Sequence, residues 1–102
     1  MIKEKNSNEL LEDIISEEMT LVDVYATWCG PCKMIVPNIE EVSKKLGIEV
    51  IKVDIDENID VARTYNIDSI PTLLLFKNKK LIDMSVGYRE TSYLENWILK
   101  NK

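Results

Sequence analysis

Cys29 and Cys32 are the only cysteines in the chain, and they stand together as Cys29-Gly30-Pro31-Cys32. Two sulfurs spaced C-x-x-C at the start of a helix lie within bonding reach, so the pair can carry two electrons as a dithiol or a disulfide. The other chemistry open to such a pair is half of a zinc site, which wants about four nitrogen or sulfur ligands. The chain has no histidine and no third cysteine, so a monomeric structural zinc site is set aside. A two-cysteine staple is rare in a reducing compartment. Redox exchange is therefore the expected chemistry. It needs neither metal nor bound cofactor, because the electrons travel in the sulfurs.

The two thiols are not equivalent by position. Pro31 suits the first position of a helix, having no N–H to leave unpaired and a preset φ. Cys29 then falls near the N-cap, where free backbone N–H groups and the helix dipole favour thiolate over thiol. Its pKa should drop from ~8.5 toward ~7, close to the optimum for an attacking thiol. Cys32 lies inside the helix on a stripe with Ile35, Ile39, Val42 and Leu46. That stripe must face a sheet, which hides Cys32 and raises its pKa. Cys29 is the expected attacker, open to solvent, and Cys32 the expected resolver.

A shielded thiol needs a proton acceptor. Asp23 sits in the otherwise apolar run Leu21-Val22-Asp23-Val24-Tyr25-Ala26. A carboxylate there either faces water from an edge or is buried with a raised pKa; in the second case it is a base for Cys32, acting directly or through a water. Lys52, in Ile51-Lys52-Val53, is either its partner or a solvent-facing lysine.

These residues need elements to hold them. Ile2 to Lys5 reads as a short edge strand. Asn6 or Ser7 can cap a helix to about Glu17, with Leu10, Leu11, Ile14 and Ile15 on one face. Thr20 to Ala26 is a central strand, Pro31 to Leu46 a helix stopped by Gly47, and Ile48 to Ile55 a further strand. Asn58 to Tyr65 reads as a short helix. Thr72 to Phe76 and Leu81 to Val86 are strands joined by the turn Lys77-Asn78-Lys79-Lys80. Thr91 or Ser92 can cap a last helix that buries Leu94, Trp97 and Ile98. The order β-α-β-α-β-α-β-β-α predicts an α/β fold: a mixed sheet of about five strands flanked by about four helices. Strands separated by helices are expected to be parallel, and the last two antiparallel. The loop after a central strand's carboxyl end is the usual place for chemistry, and Cys29 lies there.

The whole chain bounds the function. Its 102 residues suit a single domain over 1–102. Net charge is −5 and the 13 Lys and Arg are scattered, so no nucleic-acid partner is expected. The longest apolar run, Leu73 to Phe76, is too short for a membrane span, and Met1-Ile2-Lys3-Glu4-Lys5-Asn6 lacks a secretory apolar core. A cytoplasmic location is the default expectation.

The residues resemble the thioredoxin family over nearly the whole chain. Trp28-Cys29-Gly30-Pro31-Cys32-Lys33 is similar to the family's active-site signature. Leu21 to Ala26 resembles its preceding strand, Pro37 the proline of its second helix, and Lys52-Val53-Asp54-Ile55-Asp56 its third strand. Ile70-Pro71-Thr72-Leu73-Leu74-Leu75-Phe76-Lys77-Asn78 resembles the segment opened by the family's cis-proline, and Val86-Gly87 its last strand. The resemblance implies a thioredoxin fold and a buried Asp23–Lys52 pair tuning Cys32. It implies a cis Pro71 packed on the cysteines, and Ile70 offering backbone N–H and C=O to an extended substrate. Trp28, Gly30, Pro31, Ile70 and Gly87 would form the docking surface. It also implies a monomeric reductase of protein disulfides, recycled by a thioredoxin reductase of NADPH-flavin or ferredoxin type. The Gly-Pro pair, with no histidine between the cysteines, resembles reducing rather than oxidising or isomerising members. A binding module that clamps a partner, or a dedicated electron donor to one enzyme system, are the competing roles. Tyr25 stands where many members have Trp, and Lys79 where glycine is common.

Overall fold

A computed structural model describes residues 2–102. In chain order the elements are β1 (Ile2–Glu4), α1 (Leu11–Ile14), β2 (Thr20–Tyr25), α2 (Gly30–Leu46), β3 (Glu49–Asp54), α3 (Ile59–Thr64), β4 (Thr72–Lys77), β5 (Lys80–Val86) and α4 (Thr91–Lys100). The strands form one five-stranded sheet in the order β1-β3-β2-β4-β5.

Alternation along the strands divides the core in two. Leu21, Val50, Leu73 and Leu75 face one side, where Ile35, Ile39 and Val42 of α2 and Leu94, Trp97 and Ile98 of α4 cover them. Val22, Val24, Ile51, Val53, Leu74 and Phe76 face the other side, under Leu11 and Val61 of the shorter α1 and α3. The period of two along each strand puts neighbours on opposite faces, so a strand buried on both must be apolar throughout. β2 meets that demand except at Thr20, its first residue, and at Asp23. Asp23 shares the α2 face with Leu21 and Tyr25.

Three expectations are corrected. β3 is parallel to both β1 and β2, as the intervening helices predict. However, β4 is antiparallel to β2 although α3 precedes it. The six-residue α3 is too short to carry the chain back along the sheet, so β4 enters from the end at which β2 leaves. The first helix spans only Leu11–Ile14. Asn6 instead closes a local turn: its Oδ1 accepts from Asn8 N–H at 3.0 Å, its N–H donates to Glu9 Oε1 at 2.9 Å, and Leu10 is extended. Such local bonds compete with helix formation. Finally, α4 has Glu90 at its N-cap with no side-chain cap, rather than Thr91 or Ser92.

The other turn signals hold. Gly47 ends α2 in the left-handed conformation, φ 65°, with its N–H on Ser43 O. β4 and β5 are joined through Asn78 (φ 52°) and Lys79 (φ 63°). Positive φ at both central residues is the type I′ hairpin turn.

Candidate active site

β2 leads the chain to the site and α2 carries it away. Cys29 is the N-cap of α2, in extended conformation, and its Sγ accepts the backbone N–H of Cys32 at 3.2 Å. Pro31 occupies the first turn, where its missing N–H leaves no partner wanting. The two Cα atoms are 5.3 Å apart and the sulfurs are joined as a disulfide.

Both cysteines are covered, Cys29 at 6 % and Cys32 at 2 % exposure. The expectation of a solvent-open Cys29 is thus corrected for the oxidised state: Ala26, Tyr25, Ile55 and Ile70 pack around the pair. The difference between the sulfurs lies in bonding more than in exposure. Cys29 Sγ receives a helix N–H, and Cys32 is anchored in the α2 stripe with Ile35, Ile39 and Val42.

Opposite the cysteines, the Ile70–Pro71 bond is cis. Pro71 O accepts the N–H of Gly87 at 2.8 Å, tying the end of β5 to the start of β4. Gly87 has φ 91°, a conformation that suits glycine. Among the described residues, neither the N–H nor the C=O of Ile70 has an internal partner. Trp28 is 70 % exposed, yet fixed, because its Nε1–H donates to Asp56 Oδ2 at 2.8 Å. Gly30 and Pro31 are exposed beside it. Trp28, Gly30, Pro31, Ile70 and Gly87 are exposed or part-exposed near the end where β2 leaves and β4 begins, while Pro71 is buried.

Asp23 is 1 % exposed and, among the described residues, its Oδ1 has no hydrogen-bond partner. Burial pushes its pKa up to about 6, against the pull of Lys52 and with a further push from Glu4. Asp23 and Lys52 are register partners on β2 and β3. The implied buried pair is nevertheless corrected: Lys52 is half-buried, makes no ion pair with Asp23, and sits 4.6 Å from the centroid of the Tyr25 ring. An aromatic face is attractive to a cation at that range. A cavity of about 40 Å³ lies at Asp23, lined also by Val36, Ile39, Glu40 and Lys52. A second hollow is lined by Tyr25, Ala26, Cys32, Val36 and Lys52, so it reaches Cys32.

Sequence reasoning missed Asp56, although it stands in the quoted Lys52 to Asp56 run. It also missed the bond from Tyr25 OH to Glu4 Oε2 at 2.8 Å. The signal for Asp56 was an acid just past a strand end, on the rim that also carries Trp28.

A sequence model of the family Thioredoxin matches residues 1–100. A Rickettsia prowazekii protein named Thioredoxin is 45% identical over 96 residues, covering 92% of this chain and 89% of its own. The Bacillus subtilis Thioredoxin is 41% identical over 88 residues, 84% of this chain and 85% of its own. The Listeria monocytogenes Thioredoxin is 37% identical over 102 residues, 98% of each.

The chain belongs to the thioredoxin family.

With the Cys29–Cys32 pair in place, this thioredoxin-family chain is a thiol–disulfide oxidoreductase, a reductase of protein disulfides. The five-stranded mixed sheet with its four helices is the thioredoxin fold. Among the described residues no helix is long and apolar enough to cross a membrane.

Proposed function

We propose that the chain is a monomeric, single-domain cytoplasmic reductase of protein disulfides, recycled by a thioredoxin reductase of NADPH-flavin or ferredoxin type. The observation that carries the chemistry is the N-cap bond from Cys32 N–H to Cys29 Sγ. In the dithiol state that donor, with the dipole of the 17-residue α2, favours negative charge on Cys29 and makes it the attacker.

Trp28, Gly30, Pro31, Pro71 and Gly87 dock an extended substrate segment, which pairs with the free backbone groups of Ile70 as a short added strand. Cys29 thiolate attacks one sulfur of the substrate disulfide. That bond breaks, a mixed disulfide forms, and the other substrate sulfur leaves as thiolate. Asp23 then accepts the Cys32 proton through the hollow beside them, and Lys52 offsets the developing charge. Cys32 thiolate attacks Cys29 Sγ, the mixed disulfide breaks, and the second substrate thiolate leaves. Two electrons have passed to the substrate, and the Cys29–Cys32 bond remains.

Cys29→Ser is expected to abolish dithiothreitol-driven reduction of insulin. Cys32→Ser should instead retain target proteins as mixed disulfides. Adducts on Cys32 in a Cys29→Ser chain, with none on Cys29 in a Cys32→Ser chain, would reverse the two roles.

A further inference from the structure

Three charged side chains stand in one row across three strands. Glu4 on β1 is the register partner of Lys52 on β3, and Lys52 is the register partner of Asp23 on β2. In-register residues of parallel strands point to the same face, about 5 Å from their neighbours. Lys52 thus has a carboxylate on each flank, yet it ion-pairs with neither. Its Nζ lies over the Tyr25 ring, and the Tyr25 hydroxyl donates to Glu4 Oε2 at 2.8 Å.

We propose that Glu4 and Tyr25 are positioning residues: the Tyr25 ring, fixed by the Glu4 carboxylate, draws the Lys52 side chain off Asp23 and so keeps Asp23 a strong enough base to serve Cys32. A phenol that donates to a carboxylate has a more electron-rich ring, which holds a cation more firmly. Lys52 is a long, flexible cation and would otherwise settle on the unpartnered Oδ1 of Asp23. Pairing there would favour the carboxylate and weaken it as a proton acceptor. The groups facing Asp23 are Glu4 from β1, Lys52 from β3 and Glu40 of α2 across the cavity; its β4 neighbour, Leu73, is uncharged. Glu4 therefore acts twice, by its own charge and by anchoring Tyr25. Burial and the Glu4 bond also raise the Tyr25 hydroxyl's pKa, so the phenol keeps the proton it donates across the working pH range. The inference rests on the reading of Asp23 as the base for Cys32, but its primary readout does not.

The test is the titration midpoint of the Asp23 carboxyl carbon, followed by ¹³C NMR in the full oxidised chain. Glu4→Ala and Tyr25→Leu should each lower that midpoint by about half a pH unit, roughly threefold in proton affinity. The double variant should shift less than the sum, because both act through Lys52. Glu4 is exposed, so its variant leaves the core intact even should Tyr25→Leu fail to fold. Unchanged midpoints overturn the positioning role, and strictly additive shifts overturn the link between the two residues. Mixed-disulfide breakdown by Cys32 is followed separately against pH. Should Asp23→Asn leave its rate profile unmoved while the midpoints shift as expected, the base assignment falls and the positioning of Lys52 stands.

Discussion

Among the described residues two charged side chains are buried, Lys5 and Asp23, and they are treated in opposite ways. At the edge next to β1, Lys5 is 2 % exposed, but its Nζ donates to Asn58 Oδ1 and, at 3.1 Å, to Asn6 O. Asn58 in turn donates from Nδ2 to Asp54 O at 3.0 Å, and Lys5 N–H donates to Lys52 O at 2.9 Å. Each buried polar side chain of this cluster has a hydrogen-bond partner, and the cluster joins the start of the chain to the β3–α3 connection. Asp23, in the centre of the sheet, keeps an oxygen with no partner among the described residues. A buried polar group costs little when bonded and much when not. The first arrangement holds the fold together; the second costs stability, and the proposed proton transfer from Cys32 gives it a use.

The contrast breaks most visibly at Asn58. Asn58→Ala takes the main acceptor from Lys5 and should lower stability by about 3 kcal/mol in denaturant unfolding. Replacing both residues with apolar ones, Lys5→Met with Asn58→Leu, should recover most of that loss; no recovery would mean that the cluster is not a mutually bonded unit.

Asp23 should answer with the opposite sign. Between pH 3.8 and about 6 the folded chain holds a proton that the unfolded chain has lost. The cost is absent below that window and complete above it, so stability falls as pH rises through it. Asp23→Asn removes the ionisation but leaves a buried amide. It should therefore stabilise the chain by about 2 kcal/mol at pH 7 and flatten the acid-side slope, while slowing resolution by Cys32. A destabilised Asp23→Asn would contradict the unpartnered burial.

A surface site gives the scale for both. Lys79 holds a positive φ in the exposed hairpin turn, and Lys79→Gly should add about 1 kcal/mol, seen as a raised melting temperature. A lowered one would mean that the turn relaxes without strain.

The site was more legible than the elements far from it. Leu21 to Ala26 followed by Pro31 and ended by Gly47 gives β2 and α2 by apolar pattern and by stop signals, and both stand almost as read. The Asn6 region misled because Asn6 and Glu9 have the types and spacing of a helix start, yet their bonds close on each other while Leu10 turns away. Strand direction at β4 was illegible for another reason. Apolar periodicity reports which face is covered, not which way the chain runs. Lys52 could be placed opposite Asp23 but not aimed, since its direction depends on Tyr25 and Glu4, from two other strands' ends.

The seam between parallel and antiparallel halves of the sheet has a consequence for change over time. Because β4 runs against β2, the exit of one strand and the entrance of the other meet at one end of the molecule, and the Asn78–Lys79 hairpin lies at the far end. Insertions, tags or fused modules placed on that remote hairpin would leave the working edge untouched, so the lineage is free to vary one pole while the other stays fixed.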